Sequence, residues 1–411
     1  MWPYIEAMTT DDQSTAPLTF PVGFLWGTAT AAHQIEGGNV NSDWWVFEHQ
    51  EGTPVAEPSG DACDSWNRFE EDLDLVASMG LNAYRFSIEW SRIEPEPGEF
   101  SLAALDHYKA ICAGARDRGI LPVVTFHHFT SPRWVANQGG FEWSETPSRF
   151  ANYVARSAEH LGDEIGMACT INEPNVVTMM GYVLGMFPPG VANAMDRFEA
   201  ANQTMIEAHR GAVAALRSAP GDYPIGLTLS MAELIAEDGG EQARDEFQES
   251  MEDVFLRATE GDDFIGVQCY SNFRFGPKGI VGPPKGARQT PMGYEYWPQC
   301  VAATSRRAAS VTGLPVVVTE NGISAADDTE RIAYVHEALT ALHQVIEEGV
   351  DVRGYVLWSL LDNFEWTLGY AQQFGLVEVD RATFARSPKP SAAFYADVVA
   401  RGALGARSAS Q

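Results

Sequence analysis

The chain contains 411 residues, of which 45% are hydrophobic and 20% charged, and its formal net charge at pH 7 is −29. This composition is typical of a globular protein with a large apolar core, and it excludes disorder for the bulk of the chain. An acidic chain without a concentrated basic patch repels nucleic acid, so we expect no nucleic-acid partner. No apolar run is long enough to cross a bilayer, so we expect no membrane partner either.

The first twenty residues lack the basic start, apolar stretch and small-residue cleavage site of a secretory signal, which predicts a cytoplasmic protein. The five cysteines are odd in number and have no CxxC spacing. This pattern argues against a disulfide framework and a zinc site, so we interpret them as reduced structural thiols. The sequence leaves the oligomeric state open, with a homo-oligomer among the alternatives.

The chain contains no linker between a polar N-terminal tail (residues 1–16) and a Gly/Ala/Ser-rich C-terminal tail (residues 402–411), so we predict one domain over residues 17–401. Short apolar runs that end in polar residues alternate with longer stretches of helical periodicity, as in βαβ units. Eight such runs begin at Phe24, Asn82, Pro122, Met167, Ile225, Asp263, Pro315 and Val352. Eight parallel strands close a barrel, so we predict an α/β fold, a single (β/α)8 TIM barrel with its active site at the C-terminal rim of the strands.

The stretches between the runs support this prediction. Phe69, Leu73 and Val76 share one helical face that ends near Gly80, as expected for a helix of the outer ring. The rival fold, an open doubly wound sheet, predicts a Gly-rich phosphate-binding turn after an early strand. No GxGxxG or Walker pattern is present, so the barrel is favoured.

Two glutamates stand at the ends of apolar runs, Glu173 after the fourth and Glu320 after the seventh. An isolated glutamate at a strand end is about as often a solvated or salt-bridged residue as a functional one. Two of them on strands that face each other across a barrel favour catalysis instead. Paired carboxylates suit cleavage of a glycosidic bond, because one protonates the leaving oxygen and the other stabilises or captures the anomeric carbon. The sequence gives no distance between them, so it does not distinguish retention from inversion.

Several long motifs occur in one order along the chain and resemble glycoside hydrolase family 1, the β-glucosidase/β-galactosidase family. The matching stretches are PVGFLWGTATAAHQIEG, YRFSIEWSRI, TINEPNVV, VVTENG, WSLLDNFEW and FGLVEVD. The resemblance extends from Phe20 to about Val399. It implies a retaining mechanism with Glu173 as acid/base and Glu320 as nucleophile, in which ionised Glu320 raises the pKa of Glu173.

The resemblance also implies roles for residues around the two glutamates. Arg85 would lie beside the nucleophile and keep it ionised, Tyr270 would donate a hydrogen bond to it, and Asn172 would hold the sugar 2-hydroxyl. The residues implied for sugar binding are Gln34, His128, Trp358, Glu365 and Trp366, with Trp297 a weaker candidate for the aglycone side. A structural salt bridge is the less favoured alternative for Arg85, whereas a strand-end tyrosine such as Tyr270, taken alone, is more often a capped core aromatic.

The adjacent histidines His127 and His128 could suggest a metal site. Neighbouring side chains on a strand point to opposite faces, and no ligand cluster accompanies these two. We therefore expect no metal, and the implied reaction needs no cofactor.

The sequence departs from the family pattern at three positions. Phe129 follows His128 where tryptophan is usual, Gln268 stands where an asparagine is usual, and Gln373 stands where an arginine is common. The first two lie near the expected sugar, so they affect glycone preference more than reaction type.

The predicted function is that of a retaining exo-β-glycosidase acting on terminal β-D-glucosides, with β-galactosides or β-fucosides as further substrates. Two alternatives share the scaffold. One is a 6-phospho-β-glycosidase, disfavoured because Glu365 would repel a phosphate, and the other is a transglycosidase, which uses the same first step. A third, from another class, is a non-catalytic carbohydrate-binding protein, which would be expected to have lost one carboxylate.

Overall fold

Eight parallel strands form a closed barrel in the computed structural model of the chain, which describes residues 16–405. The barrel strands are β1 (Leu25–Ala29), β2 (Ala83–Ser87), β3 (Leu121–Thr125), β4 (Met167–Asn172), β5 (Ile225–Ser230), β6 (Phe264–Gln268), β7 (Val316–Asn321) and β8 (Val352–Trp358). They follow chain order around the barrel, and β8 pairs with β1 to close it. Each of the eight runs identified in the sequence overlaps one of these strands, so the predicted (β/α)8 barrel is confirmed.

A helix of eight or more residues follows each barrel strand. These helices are Ser65–Ser78, Leu102–Asp117, Thr146–Leu161, Met195–Ser218, Glu241–Gln248, Cys300–Thr312, Asp328–Glu347 and Pro390–Arg401. The first of them carries the helical face predicted from Phe69, Leu73 and Val76. No helix within residues 16–405 is long and apolar enough to cross a membrane.

Shorter helical segments lie in the connections. They are the α-helices Ala32–Ile35, Asp43–His49, Trp90–Ile93, Arg133–Asn137, Pro174–Thr178 and Val254–Leu256, the 3₁₀ helices Gly140–Glu142, Gly162–Glu164, Arg257–Thr259 and Trp366–Leu368, and the π-helical segments Met179–Val183 and Glu249–Asp253. Most of them follow the C-terminal end of a strand, where barrel enzymes hold their active sites.

Side chains fill the inside of the barrel and leave no pore at its N-terminal end. A buried cluster from five strands lies there, comprising Ala83, Val123, Met167, Cys169, Phe264 and Val317. Packing inside is tight at Gly266, where a Cβ atom would lie 2.6 Å from Thr228 Cγ2 and 2.9 Å from Thr319 Oγ1. A side chain at this position would therefore push β5, β6 and β7 apart.

Three small sheets accompany the barrel. Glu233–Ala236 pairs with Asn272–Gly276, which forms a hairpin with Gly279–Val281. Val377–Val379 pairs with Arg386–Pro388. Leu18–Thr19 pairs with Ala403–Leu404 and brings the two ends of the described chain together.

This last pairing changes the predicted domain boundary at the C-terminus. The tail predicted over residues 402–411 includes Ala403 and Leu404, which are buried and belong to a strand. The ordered body therefore continues at least to Leu404. The rest of that predicted tail from residue 406, and the predicted N-terminal tail up to residue 15, lie outside the described residues.

Truncation of Leu404 tests whether the terminal strand pair stabilises the barrel. Leu404 is buried in the main core, so Leu404→Ala should lower the free energy of unfolding by about 2–4 kcal/mol. The matched control is Leu102→Ala, since Leu102 is exposed and its loss should cost no more than about 0.5 kcal/mol. Denaturant titration compares the two, and equal small effects would show that the pair contributes no stability.

Candidate active site

An irregularity at the end of β4 turns Asn172 into the barrel. Cys169 lies inside the barrel, and Thr170 points outward to bond His209 on the surrounding helix. Strict alternation would place Ile171 inside, but Ile171 packs in the outer core, and the β4–β5 register shifts between Cys169 and Asn172. A bulge of this kind re-aims the side chains that follow it. Asn172 consequently faces the barrel interior.

A second irregularity precedes Glu320 on β7. Val317 lies inside the barrel, so regular alternation would direct Glu320 away from it. The register shifts on both sides of β7, between Val318 and Glu320 toward β6 and between Val318 and Asn321 toward β8. Glu320 lines the cavity at the barrel mouth, so the shift places its carboxylate where the sequence predicted it.

Glu173 lies directly after β4, at the start of the helix Pro174–Thr178. Its φ angle is +45°, in the left-handed region that non-glycine residues seldom adopt. Its backbone N–H donates to the Thr228 carbonyl oxygen at 2.9 Å, which holds this turn against β5. Glu173 lines the same cavity as Glu320, so the two predicted carboxylates meet in one site.

Glu320 is held by a cation on one oxygen and a hydroxyl on the other. Arg85 Nη1 donates to Glu320 Oε1 at 2.6 Å, and the Tyr270 hydroxyl donates to Oε2 at 2.6 Å. Arg85 is fully buried, and its Nε donates to Thr125 Oγ1 at 3.1 Å. Both contacts agree with the positions that the sequence analysis gave to Arg85 and Tyr270.

Asn172 connects the glutamate site to the neighbouring strands. Its Oδ1 accepts hydrogen bonds from Arg85 Nη2 and, at 2.9 Å, from Gln268 Nε2. Its Nδ2 lies 3.2 Å from His128 Nε2. Because Oδ1 is occupied by donors, the amide nitrogen donates to His128 Nε2, which leaves the proton of the neutral ring on Nδ1.

The surroundings of the two carboxyls favour different protonation states. Burial raises the pKa of Glu173 well above its usual range, and the charge of Glu320 raises it further. Burial also raises the pKa of Glu320, but Arg85, Tyr270 and Gln268 oppose this by stabilising its ionised form. This asymmetry favours a proton on Glu173 and a negative charge on Glu320.

Aromatic rings line the cavity beside the carboxylates. The His128 ring lies nearly parallel to the rings of Trp358 and Trp366, with centroids 5.9 and 6.1 Å away. Burial, followed by the charge of Arg85, lowers the pKa of His128 well below its usual range, so the ring is neutral. An apolar ring face beside polar groups suits a pyranose, which has an apolar face and polar edges.

Gln34 is fully buried beside the loop that follows β8. Its Nε2 donates to Asn363 Oδ1 at 3.1 Å and to the Phe364 carbonyl oxygen at 2.8 Å. Its Oε1 has no hydrogen-bond partner in the described part of the protein, and neither does His128 Nδ1. His128 is among the residues that line the cavity, whereas Gln34 is fully buried and is not. The sequence analysis did not identify Asn363, whose contribution is to orient Gln34.

Glu365 lines the cavity at the start of the 3₁₀ helix Trp366–Leu368. Desolvation, followed by the charge of Glu320, raises the pKa of Glu365 to about 8. Its carboxyl is therefore largely protonated near pH 7, and the predicted repulsion of a phosphate by its charge is weaker than the sequence analysis assumed. A different observation disfavours a phosphate, because the described cavity lining contains no lysine or arginine.

Comparison with known proteins agrees with this geometry. The family model described as Glycosyl hydrolase family 1 matches residues 16–264 and 285–403. The chain belongs to glycosyl hydrolase family 1. It is 32% identical to β-glucosidase A of Acetivibrio thermocellus, over 93% of this chain and 98% of that protein.

Two further proteins are similar to the chain over nearly their whole length. A bifunctional β-D-glucosidase/β-D-fucosidase of Bifidobacterium breve is 32% identical over 93% of this chain and 98% of that protein. The crystal structure of β-glycosidase BGL167 is 43% identical, with a TM-score of 0.87, over 95% of this chain and 99% of that chain. The family fold predicted from the sequence is thus confirmed.

Four predicted site residues of this family 1 chain are absent from the cavity lining, namely Gln34, Arg85, Asn172 and Trp297. Trp297 was a candidate for the aglycone side, but it is absent from the cavity lining. Its indole N–H donates to Glu233 Oε2 at 2.6 Å, and the Arg274 guanidinium lies 5.5 Å from its ring centroid. These contacts hold Trp297 against the small sheet, and its aglycone role stays a prediction.

Phe129 and Gln268, the two departures from the family pattern near the expected sugar position, have defined contacts. Phe129 packs against Trp366 with ring centroids 4.9 Å apart, and it also lines the cavity. Gln268 bridges Asn172 and Glu320 from β6.

The adjacent histidines point to opposite faces of the barrel wall, and His127 faces Ser131 and Phe141 on the side away from His128. Among the described residues, no group of three or more His, Cys, Asp or Glu side chains could hold a metal.

Removing the Tyr270 hydroxyl tests the electrostatic role of its hydrogen bond. The ionised form of Glu320 loses a donor in Tyr270→Phe, so the pKa of Glu320 should rise and the acid limb of the kcat/KM profile should move to higher pH. We expect kcat/KM to fall about 100-fold. Tyr355→Phe is the control, since that hydroxyl donates to Asn321 instead. An acid limb that is unmoved, or moved to lower pH, would contradict the assignment.

Proposed function

We propose that this family 1 protein is a retaining exo-β-glycosidase that hydrolyses terminal β-D-glucosides by double displacement. The observation that carries the proposal is the unequal environment of two carboxyls in one cavity. Glu320 is paired with Arg85 and Tyr270, whereas Glu173 is buried with a raised pKa. One group is thereby suited to attack carbon and the other to donate a proton.

In the first step, a Glu320 carboxylate oxygen attacks the anomeric carbon from the α face. Glu173 transfers its proton to the glycosidic oxygen as the carbon–oxygen bond breaks, and the aglycone leaves as an alcohol. The product on the protein is a glycosyl ester of Glu320. Arg85 must release part of its interaction with Oε1 as the charge on Glu320 disappears.

In the second step, the protonation preference of Glu173 reverses. Formation of the ester removes the negative charge of Glu320, which had raised the pKa of Glu173, so Glu173 is more readily ionised. Glu173 then accepts a proton from water while the water oxygen attacks the anomeric carbon. Glu320 leaves as a carboxylate and recovers its pairing with Arg85.

The sugar is held at the inner end of the cavity in this proposal. Gln34 Oε1 and His128 Nδ1 supply an acceptor and a donor for neighbouring hydroxyls, and Asn172 lies beside the 2-hydroxyl. Trp358 provides an apolar ring face, and protonated Glu365 provides a further donor.

Related proteins support the range of sugars in the proposal. The Acetivibrio relative is named for glucosides, and the Bifidobacterium relative is named for both glucosides and fucosides. We therefore propose β-glucosides as the main substrates and β-fucosides or β-galactosides as further ones. We also propose a cytoplasmic location, supported by five buried cysteines that are all free.

Azide rescue tests the two carboxylate roles separately. Glu173→Ala should lower activity on β-glucosides with poor leaving groups, whose first step needs the acid. On β-glucosides with good leaving groups, azide should restore turnover of this variant and give the β-glucosyl azide, because azide attacks the ester from the β face. Glu320→Ala should lose activity about 10⁴-fold or more, and azide should replace the missing nucleophile to give the α-glucosyl azide. NMR of the products assigns the anomers.

Asn172→Ala is the control for azide rescue, because it removes a binding group and no carboxylate. Its activity should fall and azide should not restore it. Swapped anomers would exchange the roles of Glu173 and Glu320. Rescue of neither carboxylate variant, with wild type inactive on every glycoside, would favour a carbohydrate-binding protein.

A further inference from the structure

The cavity of about 410 Å³ extends past the two glutamates to a mouth with an apolar wall. Six side chains of this wall are Met179, Met180, Phe247, Met251, Phe273 and Ile280. Phe273 and Ile280 are 41% and 52% exposed while also lining the cavity, so they mark its outer end. This outer part follows the glycosidic oxygen, where the leaving group of a glycoside would lie.

Most polar side chains in the outer cavity already form hydrogen bonds or ion pairs with other residues of the protein. Asn272 Nδ2 donates to Glu295 Oε2 at 3.1 Å, and Ser271 Oγ donates to the Glu295 carbonyl oxygen at 2.6 Å. Glu252 is paired with Arg307 at 3.0 Å. The hydroxyls of a second sugar would lose water here and find few free partners, which is unfavourable.

A buried acceptor remains in this lining at Asn175 Oδ1, which has no protein partner among the described residues. Asn175 Nδ2 is already engaged with the Ser230 carbonyl oxygen at 2.8 Å. One amide oxygen satisfies a single hydroxyl, whereas a sugar in the leaving-group position carries several. The polar capacity of the wall thus suits a molecule with very few hydroxyls.

The outermost part of the wall comes from a segment that the family pattern does not match. Residues 265–284 fall between the two matched ranges, and Phe273 and Ile280 both lie in this gap. They belong to the hairpin Asn272–Gly276 and Gly279–Val281, which pairs with Glu233–Ala236. The apolar mouth is therefore formed in part by a segment that lies outside the two matched ranges.

Methionine and exposed aromatic side chains fit this location if an apolar group covers them. Exposed apolar side chains clustered around a cavity mark a binding surface, and binding removes their area from water. Met179, Met180 and Met251 have flexible side chains that adjust to ligands of different shape. The wall is thus suited to apolar groups of variable length.

We propose that the outer cavity is a leaving-group site for apolar alcohols, so that β-glucosides of extended aliphatic or aromatic alcohols are cleaved in preference to cello-oligosaccharides. The inference rests on the proposed glycosidase function, because the wall receives a leaving group only if Glu173 and Glu320 act on the adjacent bond. It adds the chemical class of the substrate to that function.

A homologous series of substrates tests the proposal. For wild type, kcat/KM should rise from methyl to hexyl β-D-glucoside, by up to about fourfold for each methylene that becomes buried. Hexyl glucoside should exceed cellobiose by at least about tenfold. In Phe273→Ser and Ile280→Ser, the hexyl-to-methyl ratio of kcat/KM should fall severalfold.

Val311→Ser is the matched control, since Val311 is 44% exposed on the helix Cys300–Thr312 and does not line the cavity. It should leave the hexyl-to-methyl ratio unchanged. β-D-Glucosyl fluoride carries almost no leaving-group bulk, so its hydrolysis reports on the sugar site and the carboxylates alone. Hydrolysis of the fluoride with a flat alkyl series, or with cellobiose preferred, would overturn this proposal and leave the glycosidase function intact. No hydrolysis of the fluoride would overturn both.

Discussion

The contact between Arg85 and Glu320 is the constraint on which the site depends. Arg85 is fully buried inside the barrel, where an unpaired cation would cost several kcal/mol, and Glu320 supplies the opposing charge at 2.6 Å. Arg85 also donates to Thr125 and Asn172, so it joins β2 to β3, β4 and β7. The charge of Glu320 is thus fixed by the same contact that holds the C-terminal end of the barrel together.

The protonation of Glu173 follows from this pairing. Both glutamates are buried, but Arg85 forms its ion pair with Glu320 and leaves Glu173 next to a negative charge. The site therefore holds one proton and one negative charge across its two carboxyls. Esterification of Glu320 would remove that charge, so a single rigid arrangement can serve both an acid and a base step.

Much of this arrangement could be predicted from the sequence. Buried parallel strands are apolar on both faces, so eight such runs were visible, and the motifs around Glu173 and Glu320 identified the carboxylates. The bulges before Asn172 and Glu320 were not predictable, because a shift of one residue in register leaves no compositional signal. The contacts of Trp297 were not predictable either, because its partner Glu233 lies 64 residues away. The apolar mouth was missed because its residues come from three segments that lie far apart in the sequence.

The most direct test of the account is to trap the glycosyl ester. Incubation with 2-deoxy-2-fluoro-β-D-glucosyl fluoride should slow the second step more than the first, and one sugar should accumulate per protein chain. Peptide mass mapping should place it on Glu320, the carboxylate paired with Arg85. A label on Glu173, or full turnover of substrates with no labelled peptide and an inverted product, would contradict the assignment of charge and proton in this site.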